Sequence, residues 1–195
     1  MQKALEIMRS EHRTLGAAIH ALVGIVDSVA VRGGTPNFEL LRALLHYIDQ
    51  FPDQFHHPKE DHYLFRLVLL RAPDSAALIH RLEDEHKVNK GLMIALCGLL
   101  EIWRANSDRR DALLRFQSEV QYYADFHWAH MRREENEVFP LAEQHLLPED
   151  WSEINEAFAG NQDPLFGLTA KEHYDEMLRR IVLRAPEPYG VGARW

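Results

Sequence analysis

The apolar residues of this chain recur with the period of an α-helix almost throughout, and this pattern constrains the fold more than any other feature. Sustained alternation of apolar and polar residues, which is typical of half-buried strands, does not occur in the sequence. The first segment shows the helical period as one apolar stripe made of Leu5, Met8, Leu15, Ile19, Leu22 and Val26. We therefore predict an all-α fold.

Turn-forming residues divide the helical pattern into four long segments. Glycine and proline interrupt helices, and proline also lacks the backbone N–H that a helix needs. The interruptions are Gly33-Gly34, Pro73-Asp74-Ser75 and Asn106-Ser107-Asp108. The predicted helices therefore end near positions 31, 70, 104 and 142. The second helix should begin at Pro36 with Thr35 as its N-cap, and it should kink at Pro52 and Pro58.

Short connections force consecutive helices to lie side by side and antiparallel. We therefore predict an antiparallel up-down-up-down four-helix bundle over residues 1–145. Residues 146–195 are predicted to form a C-terminal helical extension packed on or beside the bundle, with short helices over 149–159 and 169–183. No internal repeat is evident in the sequence.

Composition and charge exclude several classes of function. The net charge is -8 and there is no basic stripe, which argues against a nucleic-acid partner. The longest apolar stretch, Leu92 to Leu100, is too short to span a membrane. The N-terminus carries Glu6 where a secretion signal would place its apolar run. Cys97 is the single cysteine, which fits a reducing compartment, so we expect a cytoplasmic protein.

Histidine–carboxylate pairs at a spacing of four are the chemical signal in this sequence, which contains 12 histidines. This spacing returns side chains to the same helix face one turn further on. The second helix has His56 with Glu60, and the fourth has His130 with Glu134. The first and third helices offer one histidine each, His12 and His86. Taken singly, each of those two is better explained as a hydrogen-bonded core histidine.

The positions of these residues place them at one level of the bundle. In an antiparallel hairpin, residues at the same level are equally far from the turn. The midpoint of His12 and His56 is Gly34, that of Glu60 and His86 is Pro73, and that of His86 and His130 is Asp108. All three midpoints fall in turns that were assigned from other residues. Burying this polar layer without a cation would be costly, so we predict a metal site.

The donor types restrict which metal the layer can hold. A set of imidazoles and carboxylates too large for one tetrahedral centre argues against structural zinc. Calcium and magnesium prefer oxygen donors alone. The mixed set suits iron or manganese, and bridging carboxylates suit a pair of such ions.

The chain resembles the hemerythrin-like family, also called HHE cation-binding proteins, over about residues 1–145. The matching segments are Glu11-His12-Arg13-Thr14-Leu15, His56-His57-Pro58-Lys59-Glu60, Glu85-His86, His130-Met131-Arg132-Arg133-Glu134-Glu135 and Val138-Phe139-Pro140. The resemblance implies two iron ions, bridged by carboxylates and by an oxo or hydroxo group. It also implies dioxygen or nitric oxide as a small ligand. The implied metal ligands are His12, His56, His86 and His130, with Glu60 and Glu134 as the bridging carboxylates.

Two departures from the oxygen-carrying members concern the ligand set. Those members place a second histidine four residues from the ligand in the third helix, where this chain has Leu82 and Lys90. They also end with an aspartate five residues after the last histidine, where this chain has Glu135. His57 is a candidate for the vacant position, since Pro58 can turn it inward. A half-exposed His57 is the equal alternative, and His127 is a candidate for contact with the site or a hydrogen bond to a ligand.

Three functions remain open at this point. The sequence favours a binding or sensing protein for dioxygen or nitric oxide over an enzyme. The alternatives are a di-iron redox enzyme, acting on peroxide or nitric oxide or repairing iron–sulfur clusters, and an iron-storage or iron-sensing protein. A homodimer is compatible with the sequence.

Overall fold

The computed structural model describes residues 3–159, Arg179 and Leu183, and these residues form helices and short connections without a strand. The first bundle helix is α1, Lys3–Arg32. The second contains α2, Phe38–Phe51, and the third is α5, Ala76–Ala105. The fourth begins with α6, Arg110–Arg133. The predicted all-α four-helix bundle is thus confirmed.

The second bundle helix is interrupted by two π-helical turns. After α2 come the turn π1, the short helix α3, the turn π2 and the helix α4, which span Pro52–His56, His57–Lys59, Glu60–Phe65 and Arg66–Arg71. The predicted distortion at the two prolines is therefore present. A π turn widens the helix, and such turns occur frequently at functional sites.

The fourth bundle helix has a π turn that was not predicted. After α6 comes π3, Glu134–Val138, followed by α7, Phe139–His145. Pro140 cannot donate a backbone hydrogen bond, and its ring crowds the preceding turn. The widened turn accommodates this, and it begins at Glu134, as π2 begins at Glu60.

The second bundle helix begins later in the sequence than predicted. Gly33 and Gly34 have φ angles of 74° and 113°, which only glycine adopts readily. Asn37, not Thr35, caps α2, because its side chain accepts a hydrogen bond from the Leu40 N–H at 3.0 Å. A 3₁₀ turn, Pro73–Ser75, makes the second connection as expected.

A polar layer divides the hydrophobic core into two apolar clusters. The larger cluster lies on one side and includes Leu15, Ile19 and Trp103. The smaller cluster includes Met8, Leu82 and Phe139. On α1, His12 lies between Met8 and Leu15, and on α5, His86 follows Leu82, so the histidines fill the gap between two dry layers. Packing on both sides therefore fixes the height of the histidines.

The described part of the C-terminal extension packs on the bundle. Helix α8, Pro148–Ala159, buries Trp151, Ile154 and Phe158 in the smaller apolar cluster. Arg71 donates to both carboxylate oxygens of Asp150, at 2.8 and 3.0 Å, and so ties α4 to α8. The predicted helix over 169–183 lies outside the described residues, apart from Arg179 and Leu183.

Helix α1 is long and apolar enough to cross a membrane by length and composition. Half of its most apolar window is buried inside the bundle, and core helices of bundles meet the same criterion. The same helix carries His12 into the polar layer.

Candidate metal centre

The structure brings all seven predicted site residues into one buried layer. The five histidines expose at most 6 % of their surface, and the two glutamates expose none. They project from α1, from the distorted middle of the second bundle helix, from α5 and from the junction of α6 with π3. The layer is made of His12, His56, His57, Glu60, His86, His130 and Glu134.

Four of these residues form the first cluster, which consists of His12, His56, Glu60 and Glu134 and could hold one cation. The two imidazole Nε2 atoms lie 3.0 Å apart. Nε2 of His12 is 3.1 Å from Oε2 of Glu134, and Nε2 of His56 is 3.3 Å from Oε1 of Glu60. Two nitrogens and two oxygens therefore converge on one point.

The second cluster consists of His57, His86 and His130, and it could hold another cation. Nε2 of His86 and Nε2 of His130 lie 3.1 Å apart. The ring of His57 is stacked on that of His86, with the centroids 3.9 Å apart and the planes at 15°. His57 is therefore turned inward, and the half-exposed alternative was wrong.

Each of the two glutamates reaches both clusters. Oε2 of Glu134 faces His12, while its Oε1 lies 3.1 Å from Nε2 of His130. Glu60 faces His56 through Oε1, and its Oε2 lies 3.8 Å from Nε2 of His86. One carboxylate oxygen for each cluster is the geometry that a bridging carboxylate needs.

Four further carboxylates orient the histidines, and the sequence did not reveal them. Nδ1 of His12 lies 2.8 Å from Glu135, and Nδ1 of His56 lies 2.9 Å from Glu11. Nδ1 of His86 lies 2.8 Å from Asp61, and Nδ1 of His130 lies 2.9 Å from Glu85. A carboxylate only accepts, so each Nδ1 carries the hydrogen, and each Nε2 lone pair points into the layer.

The available signal for these residues was adjacency. Glu11 and Glu85 each precede a histidine of the layer, and Asp61 and Glu135 each follow a glutamate of the layer. In every case the carboxylate serves a histidine of a neighbouring bundle helix, which is a contact that spacing along one helix does not predict. Arg133 also donates a hydrogen bond to Glu85.

The interior of the layer brings nitrogen and oxygen atoms that can bind a cation close together. All four carboxylate oxygens of Glu60 and Glu134 are buried without a well-aligned hydrogen-bond donor in the described part of the chain. Imidazole lone pairs and carboxylate oxygens therefore face one another, an arrangement that is unfavourable unless a cation lies between them. The donor set fits a cation at each cluster.

Without a cation, protons take part of its place. Burial lowers the pKa of His12, but the adjacent carboxylates of Glu134 and Glu135 outweigh burial and raise that pKa to about 9. Burial also lowers the pKa of His86, but Asp61 and Glu134 outweigh burial and raise that pKa to about 9. Burial and the nearby Glu134 charge raise the pKa of Glu60 well above its ordinary value. Cation binding would therefore release protons.

His127 lies beside the layer but outside both clusters. Its Nε2 is 2.9 Å from the side-chain oxygen of Asn89, and its ring centroid is 6.4 Å from that of His130. Burial lowers the pKa of His127 to about 3, so the ring is neutral. Of the histidines outside the layer, His62 and His80 are exposed and His145 is half-buried, while His173 lies outside the described residues.

The layer is built twice at a constant separation, which corrects the impression of a chain without internal repetition. His12 and His86 are 74 positions apart, and the same separation relates His56 to His130 and Glu60 to Glu134. The same separation relates the orienting carboxylates of the two halves to each other. It also relates Phe65, which stacks on His86, to Phe139, which stacks on His12. At the position related to His57, the chain has Met131.

A cavity of about 470 Å³ lies beside the first cluster. His12 and Met131, both buried, line it together with Gly16 and Trp128. Trp128 both packs against the larger apolar cluster and lines the cavity. The cavity thus lies beside the first cluster, which lacks the third imidazole that the second cluster has.

An all-α bundle whose interior gathers one imidazole–carboxylate cluster and one imidazole cluster, with two glutamates that reach both, defines a cation-binding helical protein. The family model described as Hemerythrin HHE cation binding domain matches residues 3–142. The chain therefore belongs to the hemerythrin HHE cation-binding family. The comparison with curated proteins gave no match.

Proposed function

We propose that this chain is a non-haem di-iron protein that binds or senses dioxygen or nitric oxide. The observation that carries the proposal is the pair of clusters sharing Glu60 and Glu134, each glutamate presenting one oxygen to each cluster. Two ions bridged by two carboxylates satisfy all four of those oxygens, which one ion would leave incompletely paired.

Iron fits the donors better than the other common cations. Five imidazoles and two carboxylates make a mixed nitrogen and oxygen set, whereas calcium and magnesium take oxygen donors. The same reasoning admits manganese, and the family's small-gas ligands favour iron. The bound ions would supply the electrons and the coordination position for a diatomic ligand.

The first cluster is the proposed side of ligand entry. The second cluster has three imidazoles, while the first has two and adjoins the cavity at Met131. The chain's own residues orient the pair: Glu135 holds His12 and Glu11 holds His56. Phe139, whose ring stacks on that of His12 with the centroids 5.9 Å apart, closes the opposite, apolar side.

We further propose a cytoplasmic location, and a homodimer remains compatible with the fold. The acidic charge of -8 supports the absence of a nucleic-acid partner. The absence of a membrane role is likewise a proposal, and the burial of α1 in the bundle supports it.

The experiment is metal analysis of the purified protein, followed by titration of the reduced protein with nitric oxide and with dioxygen while the absorption spectrum is recorded. We expect iron as the dominant metal and a reproducible spectral change with at least one gas. A protein that contains iron but shows no spectral response to either gas would contradict the binding role. A protein that takes up no iron would contradict the proposal as a whole.

A further inference from the structure

The cavity beside His12 is much larger than a diatomic gas requires. A water molecule occupies roughly 30 Å³ in the liquid, whereas pockets for organic ligands measure roughly 300–1,000 Å³. The volume of about 470 Å³ falls in the second range. The buried residues His12 and Met131 form its floor, and the exposed residues Arg13 and Arg132 form its mouth.

The wall of the cavity is apolar. The half-buried Trp128 packs against the larger apolar cluster of the core and also lines the cavity, as does Met131. An apolar wall of this kind favours an apolar body over water, because binding removes hydrophobic surface from solvent.

Gly16 keeps the cavity open. It lies in the interior of α1, where glycine is less favourable than alanine. A Cβ at this position would have Met131 Cε as its nearest neighbour, at 3.9 Å, which is ordinary contact. Packing therefore does not require glycine here. The position related to Gly16 by the separation of 74 is Lys90, which shows that a long side chain is accepted at that point in the other half.

The mouth of the cavity is positively charged in a chain of net charge -8. Arg13 and Arg132 reach it from α1 and α6. Nε of Arg132 donates to the backbone carbonyl of Trp128 at 3.2 Å, which restrains the guanidinium along α6. Guanidinium groups bind carboxylates through paired hydrogen bonds. The acidic residue in the lining, Glu135, accepts the hydrogen bond from His12.

We propose that the cavity binds a small organic carboxylate, with its charged end between Arg13 and Arg132. Its apolar body lies against Trp128 and Met131 and points toward His12. The role of this carboxylate at the iron pair rests on the proposed function. Its binding in the cavity depends only on this chain's own side chains. The organic anion is then a substrate or effector of the same site.

Isothermal titration calorimetry of the full chain as purified tests the proposal. The probes are 4-phenylbutyrate and octanoate, with 4-phenylbutanol as the neutral match, and the iron content of each sample is measured in parallel. We expect at least one carboxylate to bind about tenfold or more tightly than the alcohol, because hydrogen bonds to charged groups are strong. Arg132→Gln should weaken that binding by a similar factor.

Gly16→Leu should fill the cavity and abolish carboxylate binding without changing the iron content. Gly91→Leu is the matched control, since Gly91 lies in α5 with open space around its Cβ position, and this variant should bind like the parent. Failure of both carboxylates to bind, equal affinity for the alcohol, or undiminished binding by Gly16→Leu would overturn the proposal. Carboxylate binding by a chain that holds no iron would overturn the proposed function but support the cavity assignment.

Discussion

The two clusters of the polar layer follow one plan, but only one of them receives a third imidazole. In the second cluster, His57 stacks on His86 and fills the space beside it. At the related position the chain has Met131, and the space beside His12 is a cavity. Repetition at a separation of 74 positions therefore builds a symmetric frame, and a few unmatched residues make one side closed and the other open.

The comparison shows which residues belong to the frame and which define the difference. The glutamates that reach both clusters, the orienting carboxylates and the stacked phenylalanines recur in both halves. His57 and Met131 do not match, nor do Gly16 and Lys90. Equivalent changes in the frame should therefore have similar effects in the two halves, while changes at unmatched positions should affect one cluster only.

The largest effect is expected at the bridging glutamates. Glu60→Ala and Glu134→Ala should each reduce bound iron to near zero, because each removes one oxygen from both clusters and leaves the other donors buried without a cation. Metal analysis by mass spectrometry measures this. His80→Ala, an exposed histidine, is the control and should retain full iron content. If either glutamate variant keeps one ion tightly, the shared-carboxylate arrangement is wrong.

Substitutions at the unmatched positions, His57 and Met131, should each affect only one of the two clusters. His57→Met should weaken iron binding at the second cluster by about 10–100-fold or more, since removing even an orienting partner of a metal site has that effect. Met131→His should keep the iron but suppress the spectral response to nitric oxide, because the added imidazole takes the open side of the first cluster. Iron titration and nitric oxide titration of both variants check this. An unchanged gas response in Met131→His would place ligand entry elsewhere.

The orienting carboxylates should give smaller and similar effects in the two halves. Glu11→Gln and Glu85→Gln remove the negative charge behind His56 and His130, and each should lower iron affinity by about 10-fold, at the lower end of the usual range. Competition with a chelator measures the affinity. Asp84→Asn, on the exposed side of α5, is the control and should bind iron like the parent. A loss in only one of the two glutamine variants would show that the halves are not equivalent.

The smallest effect is expected in the pH dependence of the metal-free protein. His12 and His86 have folded pKa values raised to about 9, so the stability they contribute is fully present below about 6.5 and is lost as the pH rises through about 9. The raised pKa of Glu60 acts in the same direction. The melting temperature of the metal-free protein should therefore fall between pH 7 and pH 9.

Circular dichroism melts of metal-free and iron-loaded samples test this. The iron-loaded protein should lose less stability over the same range, because the cations replace the protons of both clusters. A metal-free melting temperature that rises or stays constant between pH 7 and pH 9 would contradict the protonation of His12 and His86. The variants His12→Asn and His86→Asn show which histidine is responsible. If the melting temperature falls with rising pH in only one variant, the histidine replaced in the other variant is responsible.

Much of this arrangement was predictable because it depends on local rules. Helical periodicity and turn residues predicted the bundle, and equal distances from the turns predicted that His12, His56, His86 and His130 share one level. Spacing of four predicted that His56 and Glu60 share a helix face. The N-cap at Asn37 and the π turn at Glu134 were not predicted. Both depend on particular hydrogen bonds between nearby residues, and the sequence offers several residues that could form them.

By itself, the sequence determined the helices, their order and the level of the polar layer, because these follow from periodicity and chain length. Only the tertiary structure decided that His57 turns inward, that four carboxylates on neighbouring helices orient the histidines, and that Met131 and Gly16 leave a cavity beside His12. Those features depend on which helix faces which and on how π turns rotate side chains, and such contacts are set by packing in three dimensions.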